Sequence, residues 1–193
     1  MQVRTTPLAG VVIFVPSPHR DDRGFFTRTF DADVAAAVGL EPAAFVQDSQ
    51  SRSAMGILRG LHVRSGQGEA KLVRCARGAI HDVLVDARLA SPTFGRAEAF
   101  RLDDEQFWHL YIPPGLLHGF QVLTDLADVC YRIDRPHDPT EDLAVRYDDP
   151  DLGIVWPLPI TGISDRDAAA GSWAELSEHL GKSPDLAIGH RPG

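Results

Sequence analysis

The chain has 193 residues, of which 44% are hydrophobic and 24% are charged, and its formal net charge is −8. This composition is typical of one globular domain, and with two cysteines it excludes a disulfide-rich scaffold and a general nucleic-acid binder. Because no apolar run approaches the roughly 18 residues of a membrane span and the first residues lack a signal-peptide pattern, we expect a cytoplasmic protein without a membrane partner.

Short apolar or alternating runs dominate the chain and predict β-strands separated by turn signals such as Arg77-Gly78 and Pro113-Pro114-Gly115. The predicted strands are Val11–Val15, Ile57–His62, Leu72–Ala76, Ile80–Val85, Ala97–Leu102, Trp108–Ile112, Gly119–Leu123 and Val129–Ile133. Many short strands at this spacing predict an all-β fold, an antiparallel β-sandwich or barrel.

Two short helices and a tail complete the predicted organisation. Asp31 can cap a helix that runs to Val38, and Ser172 can cap a second one over Trp173–Leu180. We expect a single domain over residues 1–182 and a loosely held Pro- and Gly-rich tail over residues 183–193. A strand-rich domain of this size has sheet edges to cover, and pairing with a second copy is a common solution, so we expect a homodimer.

Polar side chains cluster in strand-like sequence at Arg59-Gly60-Leu61-His62, at Lys71 and at His81-Asp82. Alternate residues of a strand share a face, so His62 and Arg59 should lie on opposite faces unless a bulge intervenes. A small barrel can hold one ligand among such inward-facing groups. For His62 alone, a hydrogen-bonded interior histidine is the more frequent explanation of such a pattern.

Two patterns are typical of cupin metal sites. Gly56 precedes His62 by six residues, and Pro113 to His118 has the form P-x-G-x-x-H. The second histidine of the usual metal motif is replaced by Arg64, whose guanidinium cannot be a ligand. A site made of His62, Glu69 and His118 in a metal-dependent isomerase or oxygenase stays open as an alternative.

A longer series of segments extends over most of the chain. The segments are Asp22-Arg23-Gly24-Phe25-Phe26, Val46-Gln47-Asp48, Leu58-Arg59-Gly60-Leu61-His62, Lys71-Leu72-Val73-Arg74, Asp82-Val83, Ser91-Pro92-Thr93-Phe94-Gly95, Ile112-Pro113-Pro114-Gly115, His118-Gly119-Phe120, Asp149-Pro150, Gly153-Ile154, Trp156-Pro157 and Ser164-Asp165-Arg166-Asp167. In this order and spacing the chain resembles the dTDP-4-dehydrorhamnose 3,5-epimerase family. The resemblance implies a cupin-like jelly roll that inverts carbon 3, carbon 5 or both of a nucleotide-diphosphate 4-keto-6-deoxy sugar, without a metal or another cofactor.

The resemblance also implies roles for individual residues. The catalytic positions are His62 as the base, Asp167 as its orienting carboxylate, Tyr131 as the proton donor, and Lys71 and Asp82 as a pair beside the ketone. The implied substrate contacts are Arg23, Phe26, Arg28, Gln47, Asp48, Ser49, Arg59, His118, His137, Asp142 and Arg166. A catalytically silent sugar-nucleotide binder is the remaining alternative.

Several positions depart from the usual family pattern at the nucleotide side. Arg28 replaces a common Glu, His137 replaces a Tyr that stacks on thymidine, and Ser49 replaces Asn. An arginine only donates hydrogen bonds where a carboxylate accepts them, so a different base edge could be favoured. We expect dTDP as the carrier, with CDP, GDP and UDP open as alternatives.

Overall fold

A computed structural model describes residues 1–182 and shows thirteen β-strands and three short helices. The strands are β1 Gln2–Thr5, β2 Val12–Val15, β3 His19–Asp21, β4 Gly24–Phe26, β5 Gln47–Ala54, β6 Leu58–Arg64, β7 Lys71–Arg77, β8 Ala79–Asp86, β9 Ala97–Asp103, β10 His109–Ile112, β11 Leu116–Val122, β12 Leu126–Ile133 and β13 Asp142–Ala144. The helices are α1 Ala32–Ala37, α2 Asp165–Ala168 and α3 Trp173–Lys182, and one 3-10 turn covers Pro42–Ala44.

The strands form two main antiparallel sheets. The first has the order β1-β2-β10-β7-β12-β5 and the second has the order β13-β6-β11-β8-β9, while β3 and β4 form a separate hairpin. Consecutive strands often lie in different sheets, for example β6 and β7, as in a jelly roll rather than in a simple meander. The predicted all-β antiparallel sandwich with a few short helices is confirmed.

The core has two layers, and β8 belongs to both. Ile80 and Leu84 on one face of β8 pack between the sheets. Val83 and Val85 on the other face pack against residues of α3 that include Leu176. Because β8 is covered on both faces, its apolar residues lie on both faces and include the uninterrupted run Val83–Val85.

Each of the eight predicted strands overlaps an observed one, with ends shifted by a few residues. The sequence QDSQSRSA of β5 contains hardly any apolar side chain, so hydrophobic periodicity did not predict it.

The predicted cap of α1 is confirmed, since the Asp31 carboxylate accepts hydrogen bonds from the N–H groups of Asp33 and Val34. The helix α3 extends to Lys182, and the predicted tail lies outside the described residues. None of the helices in residues 1–182 combines the length and the apolar character of a membrane span.

Candidate active site

A cavity of about 830 Å³ opens between the two sheets. It lies where β6 and β11 of the second sheet face β5, β7 and β12 of the first. Most of the predicted site residues line it: Gln47, Ser49, Arg59, His62, Lys71, His118, Tyr131, His137, Asp142, Arg166 and Asp167. These residues are scattered over more than a hundred positions of the chain, and the sandwich gathers them in one place.

A bulge in β6 places Arg59 and His62 on the same cavity. Along β6 and β11, His62 is opposite His118 while Arg59 is opposite Phe120, so β6 contains one extra residue. The backbones are close here, because a Cβ added at Gly60 would lie 2.5 Å from the Cα of Gly119. In a regular strand Arg59 and His62 would lie on opposite faces, and the extra residue of the bulge brings both to the same face.

His62 is paired with Asp167 of α2. Its Nε2 lies 2.7 Å from Asp167 Oδ1, and the other carboxylate oxygen accepts the N–H of Gly60 at 3.1 Å. The hydroxyl of Ser164 caps α2 by accepting the N–H of Asp167, which fixes the start of this short helix. Burial raises the pKa of Asp167, but the hydrogen bonds from His62 and Gly60 outweigh it and hold the pKa below its ordinary value. The carboxylate is therefore charged and can fix the imidazole tautomer.

Tyr131 lies on the opposite wall of the cavity from His62. Its strand, β12, belongs to the first sheet, whereas β6 belongs to the second. The tyrosine ring meets His118 edge to face, with 6.3 Å between the ring centroids. Burial raises the pKa of Tyr131 well above its usual value, so the phenol stays protonated and can donate a proton.

Lys71 and Asp82, predicted as a pair beside the ketone, each have a different partner in the structure. The buried carboxylate of Asp82 lies behind His118, with 2.8 Å between Asp82 Oδ2 and His118 Nε2, and it does not line the cavity. Lys71 lines the cavity, and its Nζ lies 2.7 Å from Oε1 of Glu69. Glu69, and not Asp82, is therefore the counter-ion of this lysine.

Four predicted substrate contacts lie outside the cavity of their own chain. Arg23 and Phe26 are on the β3–β4 hairpin, where their exposed fractions are 89% and 76%. Arg28 follows the hairpin, is exposed and pairs with Asp31. Asp48 pairs with Arg132 and lines a second, smaller cavity of about 380 Å³.

Arg64 and Glu69 were not predicted as substrate-site residues, although both line the cavity. Arg64 entered only as the residue that replaces a metal-binding histidine, and Glu69 only as an alternative ligand. Arg64 follows His62 by two positions on β6 and therefore shares its face, which was a usable signal. Glu69 lies in the loop before β7, where no strand pattern indicates a direction.

The carboxylate of the alternative metal site is occupied by other interactions. His62 and His118 each use only one ring nitrogen, on Asp167 and Asp82, and such a contact is also typical of metal-binding histidines, so Glu69 decides the comparison. The carboxylate of Glu69 lies between two cations, Arg64 and Lys71, which would repel a divalent ion. In the part of the chain that the structure describes, no three His, Cys, Asp or Glu side chains form a metal-binding group. This arrangement does not favour the metal-dependent alternative.

Comparisons with known proteins identify the family of this chain. Residues 5–175 match the family model described as dTDP-4-dehydrorhamnose 3,5-epimerase. The protein of that name from Methanothermobacter thermautotrophicus is 41% identical over 90% of this chain and 94% of its own. A dTDP-4-dehydrorhamnose 3-epimerase from Streptomyces niveus is 38% identical over 92% of this chain and 86% of its own.

Solved structures give the same result. The dTDP-6-deoxy-D-glucose-3,5-epimerase of Legionella pneumophila, in complex with dTDP-4-keto-L-rhamnose, superposes with a TM-score of 0.85. It is 39% identical in sequence, and the match covers 91% of this chain and 96% of the Legionella chain. This chain therefore belongs to the dTDP-4-dehydrorhamnose 3,5-epimerase family.

Proposed function

We propose that the chain is an epimerase that inverts carbon 3, carbon 5 or both of a nucleotide-linked 4-keto-6-deoxy-hexose. The observation that carries this proposal is the position of His62 and Tyr131 in opposite sheets, with both side chains on one cavity. Inversion requires a base on one face of the sugar ring and an acid on the other. A sandwich that brings one of each to facing walls meets this requirement.

The reaction follows from these positions. His62 removes the proton from a carbon next to the ketone, and the electron pair moves to the ketone oxygen to form an enolate. The Lys71 ammonium stabilises the negative oxygen, most strongly where water is excluded. Tyr131 then returns a proton from the opposite face, while Asp167 stabilises the imidazolium. The electrons remain in the sugar, so the proposed reaction uses no redox cofactor.

The remaining residues of the cavity are the proposed substrate contacts. They are Gln47, Ser49, Arg59, His118, His137, Asp142 and Arg166, all on the cavity wall. Arg59 and Arg166 supply cations for a diphosphate, although Arg166 is also within 3.2 Å of Asp142. We place the nucleotide at the His137 end and propose dTDP as the carrier, because dTDP sugars are named for the relatives.

The cytoplasm remains the proposed compartment, in keeping with two free cysteine thiols.

The test is proton exchange on dTDP-4-keto-6-deoxy-glucose in heavy water. We expect deuterium at carbon 3, carbon 5 or both, together with inversion of the exchanged carbon, measured by NMR at each position. The same sugar on CDP, GDP and UDP shows whether dTDP is preferred. Binding of the nucleotide sugar without exchange at either carbon would identify a silent binder and would refute the epimerase.

We further propose a homodimer in which each copy completes the cavity of the other. The hairpin residues Arg23 and Phe26, and Arg28 after them, are exposed and do not line the cavity of their own chain. Phe25 on the same hairpin is also half exposed, which is unfavourable for a free surface. A second copy would cover these aromatic side chains and receive the arginines at its nucleotide end.

Coexpression of two inactive variants tests this arrangement. One variant carries His62→Ala and the other carries Arg23→Ala with Phe26→Ala. If the hairpin serves the partner, each hybrid dimer contains one intact site, and equal coexpression restores about a quarter of the wild-type sites. If each hairpin serves its own cavity, the hybrids contain no intact site and activity stays at the level of the variants.

A further inference from the structure

Arg64 and Glu69 form a buried ion pair in the wall of the cavity. Arg64 Nη1 lies 3.0 Å from Glu69 Oε2, and the two side chains are only 5% and 8% exposed. The pair continues in both directions. Glu69 Oε1 lies 2.7 Å from the Lys71 ammonium, and Arg64 Nη2 lies 2.5 Å from Nδ1 of His137. It therefore connects a group at the ketone end with a group at the nucleotide end.

This pair is poorly suited to a purely stabilising role. Although the two charges are close, neither Arg64 Nε nor Glu69 Oε2 makes a well-aligned hydrogen bond within residues 1–182, and both atoms are buried. Arg64 Nε has only a longer ion-pair contact, 3.6 Å to Oδ1 of Asp142. A buried ion pair compensates its desolvation only when its remaining donors and acceptors are satisfied, and apolar residues often stabilise such a position better. The contacts of this pair with Lys71 and His137 instead indicate a role in the site.

At the ketone end, Glu69 fixes an otherwise mobile cation. A lysine ammonium is a compact charge at the end of a flexible chain of four carbons, so it can occupy many positions. The carboxylate of Glu69 restricts Lys71 to one place in the cavity wall, where 14% of the lysine side chain stays exposed. An enolate-stabilising charge must be in position before the reaction starts, so this restriction serves the chemistry.

At the nucleotide end, Arg64 holds the segment that carries His137. Its Nη1 donates to the backbone carbonyl of Pro136 at 2.9 Å, and its Nη2 contacts Nδ1 of His137. Because a guanidinium only donates, Nδ1 must accept, and the neutral ring then carries its proton on Nε2. That nitrogen lies 4.0 Å from Oδ2 of Asp142. Arg64 thus sets both the position and the tautomer of a ring at the nucleotide end.

We propose that Arg64 and Glu69 are positioning residues that divide their work between the two ends of the cavity. Glu69 positions Lys71 for enolate stabilisation, and Arg64 positions His137 for nucleotide binding. The inference rests on the proposed function, since that function defines the two ends. It predicts that the two members of one ion pair affect different kinetic constants.

The experiment compares Glu69→Gln with Arg64→Gln. In Glu69→Gln, Arg64 keeps only the more distant carboxylate of Asp142, 3.6 Å from its Nε, and its charge is no longer offset on the side of Lys71. The two cations then repel each other, so we expect kcat to fall about tenfold or more with KM within about twofold of wild type. In Arg64→Gln, Lys71 still neutralises Glu69, so we expect KM to rise about tenfold with kcat within about threefold. Calorimetric titration with dTDP alone should show weaker binding for Arg64→Gln and unchanged binding for Glu69→Gln.

Two further sets of variants keep the test decisive. The exposed pair Arg96–Glu98 is the matched control, and Arg96→Gln and Glu98→Gln should leave kcat, KM and dTDP affinity unchanged. If a single variant of the buried pair does not fold, the double variant Arg64→Gln/Glu69→Gln leaves no unpaired charge within the pair. The amide carbonyl introduced at position 69 can still accept a hydrogen bond from Lys71, so we expect kcat within about threefold of wild type and a KM raised about tenfold.

The outcomes separate this inference from the proposed function. If the wild-type protein is active and the two variants change kcat and KM in the same way as each other, the division of roles is overturned. The epimerase proposal is then unaffected. A fall in melting temperature without any change in kinetic constants would reduce the pair to a structural element. If the wild-type protein binds dTDP but exchanges no proton, the proposed epimerase function is wrong. The role of Arg64 is tested separately, because an unchanged dTDP affinity in Arg64→Gln would overturn it.

Discussion

Replacing His62 by alanine is expected to lower kcat by about 10²–10⁴-fold, the usual contribution of a positioned base. The imidazole lines the cavity and is paired with the charged carboxylate of Asp167. Its loss removes the proton acceptor for the first step, so deuterium exchange from heavy water should fall together with inversion. The parallel loss of both signals, measured by NMR, is the specific expectation.

The protein should remain folded in this variant. His62 is 40% exposed, so truncation leaves no large cavity, although Asp167 loses one hydrogen-bond donor and keeps the N–H of Gly60. The matched control is His179→Ala on the exposed side of α3, which should retain wild-type activity. A His62→Ala protein with normal exchange would require another base and would contradict the mechanism.

The pH profile of the wild-type protein adds an independent check. The folded pKa of Asp167 is lowered, so this carboxylate stays ionised as the pH falls below neutrality and its hydrogen bond to His62 persists. Protonation of Asp167 should therefore not cause a loss of kcat/KM between neutral and moderately acidic pH. Substituting Asp167 by Asn should lower kcat through the orientation of the ring while retaining the volume.

The sequence predicted this fold well where apolar residues carry the signal. The strands β8, β11 and β12 contain the apolar runs of the core, and periodicity predicted each of them. By contrast, β5 has a polar sequence because one side of it faces the cavity and the other the outer surface. The hairpin β3–β4 was missed for a related reason, since its residues are exposed in a single chain. Elements that face a cavity or solvent on both sides lack the hydrophobic pattern of a core strand.

The site was predicted less completely than the fold. The family resemblance indicated His62, Tyr131 and Asp167, and the structure brings all three to one cavity. The pairing of charges could not be predicted in the same way. Whether Lys71 meets Asp82 or Glu69 depends on how a loop before β7 is folded, and the sequence spacing does not determine this. A bulge in β6 likewise depends on packing against β11 rather than on a recognisable local motif.

Replacing Tyr131 by phenylalanine should separate two events that His62→Ala abolishes together. Without the phenol, His62 can still remove a proton, exchange it with solvent and return a deuteron to the same face. We therefore expect inversion to fall by about 10²–10⁴-fold, while exchange without inversion persists at one carbon. The measurement compares deuterium content and configuration at each carbon in the same sample.

The substitution keeps the aromatic ring and removes only the hydroxyl, together with its contact to Ser51. Phenylalanine retains the ring that meets His118, and removing a hydroxyl creates no overpacking. Because burial raises the pKa of Tyr131, the wild-type phenol stays protonated at moderately alkaline pH, and its ionisation should not limit activity there. Tyr147→Phe, outside the cavity, is the matched control and should keep both signals. Equal losses of exchange and inversion in Tyr131→Phe would mean that the tyrosine only holds the sugar, and the returning proton would then come from another group on the wall of the first sheet.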